Sequence, residues 1–481
     1  MKRLVLFGAA VLMAAAGLKA QPAGERVFRA GAATTNITPP LGSPIVGGWN
    51  SPPATNVHDE LHSRALVLDD GSTRLAIVLC DSVGITRVVF DEAKRMVQEK
   101  VGLPPENILM AATHTHSASS ARGGHGITPA PLDEYQTFLA YRIRDAVLMA
   151  IYRLEPARIG WGVAFNDRQV FNRRWKMKPG SKHLRNPFGG IDKVRMNPPA
   201  NDPDLIEPAG PTDPQINFIS VQSTAGKPIA LLANYSLHYV GGVKGGDISG
   251  DYFAVFAERI AELLNARNQN PPFVGILSNG TSGNINNINF RPGPDAARRR
   301  FEPYEKMRMV ADEIATGVFE AYRKVEHRDW VPLAAAQKDL MLGVRVPDAE
   351  QVEWAQRTLK DPPKYHQHEQ VYAERLLRMK DWPREAPVPL QTFRIGDVGI
   401  AAIPAEVFVE IGLEIRKRSP LKQTFTIELA NGWFGYLPTA EQHEVGGYET
   451  WRGTNLLETK AAPKIVEGIV DLFQKVAAPR N

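Results

Sequence analysis

The chain has 481 residues, 43% hydrophobic and 23% charged, with a single cysteine, Cys80. That balance excludes intrinsic disorder, a collagen-like repeat and a coiled coil, and one cysteine excludes a disulfide framework or a thiolate zinc cluster. The formal net charge of +5 falls to +2 without Lys2, Arg3 and Lys19 of the N-terminal leader, so charge makes no case for a nucleic-acid partner.

Residues 1–20 read as a cleavable signal peptide. Met1-Lys2-Arg3 is a short positive start, Leu4 to Gly17 is almost wholly apolar, and Leu18-Lys19-Ala20 ends in a small residue before Gln21. The apolar run is short for a membrane span, and no later stretch approaches eighteen uninterrupted apolar residues. The expectation is a secreted or periplasmic protein without an integral membrane span, with one domain over 21–481.

Strands then alternate with helices. Ala65–Leu68 and Leu75–Leu79 read as strands around the turn Asp69-Asp70-Gly71-Ser72. Cys80 ends the second run and is expected to be buried. Phe90 to Val101 has helical periodicity, Ile108–Ala112 reads as a strand, and Tyr135 to Tyr152 as a helix. Phe218–Val221 and Ile229–Tyr235 flank a hairpin turn at Thr224–Lys227. Ala254 to Ala266 is helical, Phe273 to Leu277 a buried strand, and Met307–Val325 and Ala349–Lys360 amphipathic helices. Gly399–Ile403 is a strand, Pro404 marks a turn, Val407 to Lys417 is a helix, and Ile465 to Val476 closes the chain as another. The alternation argues for an α/β fold with mixed β-sheet, flanking helices and long ordered loops, not a sandwich. A glycine and proline content of 40 and 37 residues agrees with many turns. There is no G-x-G-x-x-G after a strand, no Walker loop and no G-x-S-x-G elbow.

Between Arg168 and Pro211 the pattern breaks. Arg173, Arg174, Lys176, Lys178, Lys182 and Arg185 interleave with Phe171, Trp175 and Phe188. A loop this long is either a solvated excursion or a basic rim over a site for an anionic or sugar-like substrate.

Polar chemistry concentrates at strand ends. Thr113-His114-Thr115-His116-Ser117 follows the strand ending at Ala112, His238 ends the strand through Leu237, and Glu406 follows Ile403. The chain is leaving its strand at His114 and His116, so one can be a ligand while the other faces substrate. Two imidazoles and one carboxylate from three strand ends match a hydrolytic zinc site with an open position for water.

In order along the chain, these segments resemble the neutral/alkaline non-lysosomal ceramidases. The likeness is carried by Ala30-Gly31-Ala32 through Asn36-Ile37-Thr38-Pro39-Pro40, by Thr113 to Ser117, and by Asn234-Tyr235-Ser236-Leu237-His238 with Ile248-Ser249-Gly250-Asp251. It continues through Pro404-Ala405-Glu406, Gly435-Tyr436-Leu437-Pro438-Thr439 and Tyr448-Glu449, spanning Phe28 to Trp451. The resemblance implies that His114, His238, Glu406 and Tyr436 bind one Zn²⁺. It sets His116 and Tyr448 at the reacting centre, stabilising the oxyanion or leaving group. The family's Asn-Arg segment puts an arginine at Arg168 or Arg173, and Arg168 is the candidate set beside His116. The plain alternative for Tyr436 and Tyr448 is that they are loop-packing aromatics.

Two departures stand out. Asn286, in Gly283-Asn284-Ile285-Asn286-Asn287, falls where the family has a serine assigned to catalysis; an amide cannot be an activated nucleophile but can donate to an oxyanion. Ser278 and Ser282 lie nearby without matching the position. The chain also shows no counterpart of the family's C-terminal immunoglobulin-like domain. The implied function is an exported zinc-dependent hydrolase cleaving an amide (N-acyl) bond by zinc-activated water. Its substrate would be a small molecule or lipid such as a sphingolipid, at a membrane surface or free. The alternatives are a glycan or glycoconjugate hydrolase, motivated by the basic aromatic loop, and a non-catalytic zinc-binding protein.

Overall fold

The computed structural model describes residues 26–123, 126–295 and 299–478. The expected signal peptide at 1–20 lies outside them. Eight strands form one mixed sheet: β1 (Arg29–Asn36), β2 (His62–Asp69), β3 (Arg74–Cys80), β4 (Ile108–Ala112), β5 (Glu155–Phe165), β6 (Gln215–Ser223), β7 (Pro228–Tyr235) and β8 (Val274–Asn279). Their order is β8-β7-β6-β5-β1-β2-β3-β4. A second sheet holds β9 (Leu333–Gly343), β10 (Glu385–Ile395), β11 (Val398–Ile403) and β12 (Gln423–Glu428) in that order. Three neighbour pairs are parallel, β3 with β4, β7 with β8, and β11 with β12.

Side-chain alternation explains the layering. On β3, Leu75, Ile77 and Leu79 pack with Phe393, Ile400 and Ile427 of the second sheet. The intervening Ala76, Val78 and Cys80 pack under the helices α1 (Arg87–Val101) and α2 (Glu134–Tyr152). Period-two burial of both faces requires a partner on each side of the sheet. Farther along the same sheet, Leu231, Ala233 and Tyr235 of β7 are covered by α3 (Asp251–Leu263) and α4 (Glu305–Tyr322). Two short helices, α5 (Ala349–Thr358) and α6 (Glu369–Met379), pack on each other, and α7 (Val409–Arg418) follows β11. A one-and-a-half-turn α8 (Ala440–Val445) precedes α9 (Ala461–Ala477), which covers the outer face of the second sheet with α7.

The layers therefore run helix, sheet, sheet, helix. The expected α/β fold with mixed sheets and flanking helices holds. The sheet-on-sheet contact departs from the expectation of no sandwich, because β1, β5, β9, β10 and β12 carry no strand pattern that stands out in the sequence. Among the described residues no helix is long and apolar enough to cross a membrane.

The segment from 168 to 211 is structured rather than an open loop. Arg174–Met177, Val194–Met196 and Leu205–Pro208 form a three-stranded sheet, and Phe171–Asn172 pairs with Ile285–Asn286. Trp175 is buried with Met177, Leu184, Leu205 and Phe290, so it offers no stacking face to a sugar. That removes one part of the pattern behind the glycan alternative, the indole of Trp175.

Candidate metal centre

Three strand ends deliver the central side chains. His114 lies two residues past β4, His238 three past β7 and Glu406 three past β11. An isolated bridge between Ala111 and Ala430 ties the edge strand β4 to the chain leaving β12, which brings the two sheets together here. His114 adopts a left-handed backbone with φ of 72°. A non-glycine residue held there is strained, and such residues cluster at functional sites. The reversal turns its ring back into the molecule, where its backbone N–H donates to the Ser82 carbonyl at 2.9 Å.

This turn also settles how the two histidines of the β4 exit are arranged. His114 Nε2 lies 3.0 Å from His238 Nε2 and 3.2 Å from His116 Nε2. The ligand atoms of all three histidines fall within 4.8 Å of one another. His116 therefore stands inside the cluster, not apart from it. Its ring stacks on Tyr239 at 3.7 Å and lies against Gly47, whose φ of +124° and missing side chain allow the contact; a Cβ there would fall 2.5 Å from His116 Cγ.

The outer nitrogens fix the protonation pattern. His114 Nδ1 is 2.6 Å from the Val83 carbonyl, and His238 Nδ1 is 3.1 Å from the Ser282 carbonyl. A carbonyl only accepts, so each Nδ1 carries a proton and each ring turns its Nε2 inward. Burial, with the neighbouring charge of Arg173 adding to it, holds His116 and His238 well below the ordinary histidine value. His238, neutral with its proton on Nδ1, therefore offers its Nε2 lone pair to a cation beside His114.

Glu406 completes the group. Its Oε2 is 3.3 Å from His114 Nε2 and otherwise has no hydrogen-bond partner despite being buried; its Oε1 accepts from Trp433 Nε1 at 3.3 Å. Burial opposes its ionisation, but His114, Tyr436 and Arg173 hold the carboxyl down at about 2. Tyr436 is brought beside it by a parallel bridge that pairs Glu406 with Tyr436 directly. An imidazole set with one carboxylate and a phenol is an N/O donor set suited to zinc. The inward lone pairs, the orphaned Glu406 oxygen and the outer carbonyl partners together fit such an ion.

A further ring of polar groups supports these. Arg173 Nη2 donates to the Tyr436 hydroxyl at 2.9 Å and its Nε to Glu449 at 3.0 Å. Ser282 Oγ, 3.2 Å from His238 Nδ1, donates to Glu428 Oε1 at 2.6 Å. Tyr448 lies edge-on to Tyr436 with ring centres 5.7 Å apart, and burial raises its phenol above the ordinary value. A cavity of about 350 Å³ opens over the cluster, lined by His114, His116, Glu406, Tyr436 and Tyr448, with Arg122 and Arg375 at its sides. Arg122 and Trp433 also wall an adjoining cavity of about 420 Å³.

Two sequence candidates fall elsewhere. Arg168 is on the surface, its side chain 70% exposed and paired with Glu313 at 3.3 Å. The buried arginine at the cluster is Arg173, because the Asn172–Phe171 pairing with Ile285–Asn286 carries that residue inward. Asn286 uses one amide N–H on Asn197 at 2.8 Å and its oxygen on the Ile288 N–H at 3.0 Å, and it is not among the residues lining the cavity described above. Ser282, noted only as a nearby serine, orients His238. Glu428, Trp433, Arg122 and Arg375 carried no signal of function in the sequence, since each reaches the site from a segment without a recognisable motif.

No protein-family model matches the chain. Its fold is similar to that of a solved neutral ceramidase from Pseudomonas aeruginosa, with a TM-score of 0.66 and 19% identity over 94% of this chain and 74% of that one. A structure described as ceramidase complexed with C2 matches similarly, with a TM-score of 0.67 and 17% identity over 94% of this chain and 75% of that one. The chain thus has a ceramidase-like fold.

Proposed function

We propose that this protein is a zinc-dependent amidohydrolase that cleaves an N-acyl bond in the cavity above His114, His116 and His238. The observation that carries the reading is the cluster of three histidine ligand atoms within 4.8 Å of one another, with a Glu406 oxygen 3.3 Å from His114 Nε2. His114, His238, Glu406 and Tyr436 would hold the ion, and His116 Nε2 is close enough to share in it or to face substrate. Zinc bound there supplies Lewis acidity, polarising an acyl oxygen and lowering the pKa of water to about 7.

The side chains supply the remaining requirements of amide hydrolysis. The neutral His116 can take a proton at Nε2, and the Tyr448 phenol, kept protonated by burial, can give one to the departing nitrogen. Arg173 holds the Tyr436 hydroxyl in place and keeps positive charge beside the reacting carbonyl. With Asn286 in the serine position there is no covalent nucleophile to invoke. The ceramidase-like fold supports an N-acyl lipid as the substrate class. On the leader at 1–20 we also assign the protein to the cell exterior or periplasm, as one domain over 21–481.

Elemental analysis of the purified protein beside His114→Ala tests the metal, and assay against N-acyl amides tests the chemistry. About one zinc per chain, lost in the variant, with zinc-dependent release of fatty acid is the expected result. Zinc without turnover would leave a binding protein, and no zinc would overturn the reading.

A further inference from the structure

We propose that the cavity takes an N-acyl compound carrying a carboxylate close to the acyl bond, in preference to a neutral N-acyl alkanolamine. The acyl bond rests on the hydrolase reading; the carboxylate rests on the cavity's own charge. Three arginines line it, Arg122 from the chain beyond His116 and Arg375 and Arg378 from α6. The carboxylate lining it is Glu406, which faces the histidines.

The buried arginines are paired, Arg173 and Arg174 on Glu449 and Arg64 on Asp81 at 2.6 Å, whereas the half-buried Arg345 bonds a carbonyl and an amide. Arg122 and Arg375, also half-buried, use other partners. Arg122 stacks over Trp433 at 4.5 Å and hydrogen-bonds Ser120 Oγ at 3.1 Å. Arg375 lies over Tyr372 at 4.9 Å and bonds Thr454 Oγ1 at 3.1 Å. Neither has a carboxylate within ion-pair distance among the described residues. Aromatic faces and a hydroxyl orient each guanidinium while leaving donors free, and Arg378 adds charge at the exposed edge. Two oriented guanidinium forks in a small cavity suit a carboxylate, which accepts two parallel N–H bonds. A cation at the histidine cluster makes the cavity more positive still. Such a carboxylate is found on the amine half of an N-acyl amino acid or on the acyl half of a dicarboxylic half-amide.

Octanesulfonylglycine and octanesulfonylethanolamine have the same length and no acyl bond to cleave, so their binding to the full chain can be measured by calorimetry. The glycine compound should bind roughly 10- to 100-fold more tightly, the usual effect of charge-assisted hydrogen bonds. Arg122→Gln and Arg375→Gln should each narrow that ratio. Equal affinity of the two probes for the unmodified chain overturns the inference. Turnover by the zinc-loaded protein of N-octanoylglycine, N-octylsuccinamic acid and N-octanoylethanolamine then locates the charge. Faster turnover of the first assigns it to the amine half, and of the second to the acyl half. Cleavage of the neutral amide at an equal rate overturns this inference and leaves the hydrolase reading standing. Tight anion binding without any turnover does the reverse.

Discussion

Glu449 and Arg174 meet at 2.6 Å, both side chains fully removed from solvent, and the same carboxylate takes Arg173 on its other oxygen at 3.0 Å. One acid thus balances two adjacent arginines, and the second of those bonds orients the arginine that holds Tyr436. The segment whose sequence resembles a solvated basic loop is anchored by this ion triad, which joins it to the chain around Tyr448.

Glu449→Gln should therefore destabilise the fold strongly. It keeps the shape but strands two buried guanidiniums, and breaking a buried pair by removing one partner costs about 3–5 kcal/mol. Urea unfolding of the variant beside the unmodified protein measures this. A loss below about 1 kcal/mol would mean that water reaches the arginines and solvates them.

A second buried charge gives a pH dependence. Lys94 on α1 is 3% exposed, and its amine donates to Asn431 Oδ1 at 2.8 Å. Burial lowers its pKa from 10.5 to about 8. Between those values the folded protein has released the proton while the unfolded chain still holds it, so the unfolded state binds more protons and stability rises with pH. Below about 8 the fold carries the whole penalty, about 3 kcal/mol at 1.36 kcal/mol per pH unit. Lys94→Met should raise stability at pH 7 and flatten its change between pH 8 and pH 10. An unchanged slope in the variant would assign the pH dependence to another group.

Cys80 should be inert in the native state. Its side chain has no exposed surface, the thiol lies 3.6 Å from Ser63 Oγ, and burial pushes its pKa up to about 12. The thiolate is the reactive form, so neither charge state nor access permits reaction. An aromatic disulfide reagent should detect no thiol at pH 8 in the folded protein and one per chain in denaturant. Rapid native labelling would show that β3 opens locally.

What was legible follows from the physics of each element. β4 and the helix ending at Tyr152 stand out in sequence because both bury a continuous or periodic apolar face. β5 does not, since Gly160 and Gly162 interrupt it to admit Val325 and Phe218, and β10 carries Pro387 and Pro389. The histidines and Glu406 are readable because strand ends are marked locally by the loss of apolar pattern. Their supports are not: Glu428 comes from β12 and Arg375 from α6, and only tertiary contact tells them from ordinary surface charges. The 168–211 segment misleads for the same reason, because the residue that neutralises it, Glu449, is distant in sequence.

The two candidate arginines provide the sharpest test of that distinction. Arg168 holds a solvent-exposed pair with Glu313, and such pairs contribute about 0–1 kcal/mol. Arg168→Ala should leave zinc content and catalysis as they are and change stability by no more than that. Arg173 orients Tyr436 from behind the proposed donors, and loss of a supporting partner of this kind typically weakens metal affinity about 10- to 100-fold. Arg173→Lys, which keeps the charge but loses the planar fork to Tyr436 and Glu449, isolates the positioning effect from the charge itself. Competition with a chelator should show weakened zinc binding in Arg173→Ala, partial recovery in Arg173→Lys and no change in Arg168→Ala. Equal affinities in all three would separate Tyr436 from the metal and leave His114, His116, His238 and Glu406 as the donors.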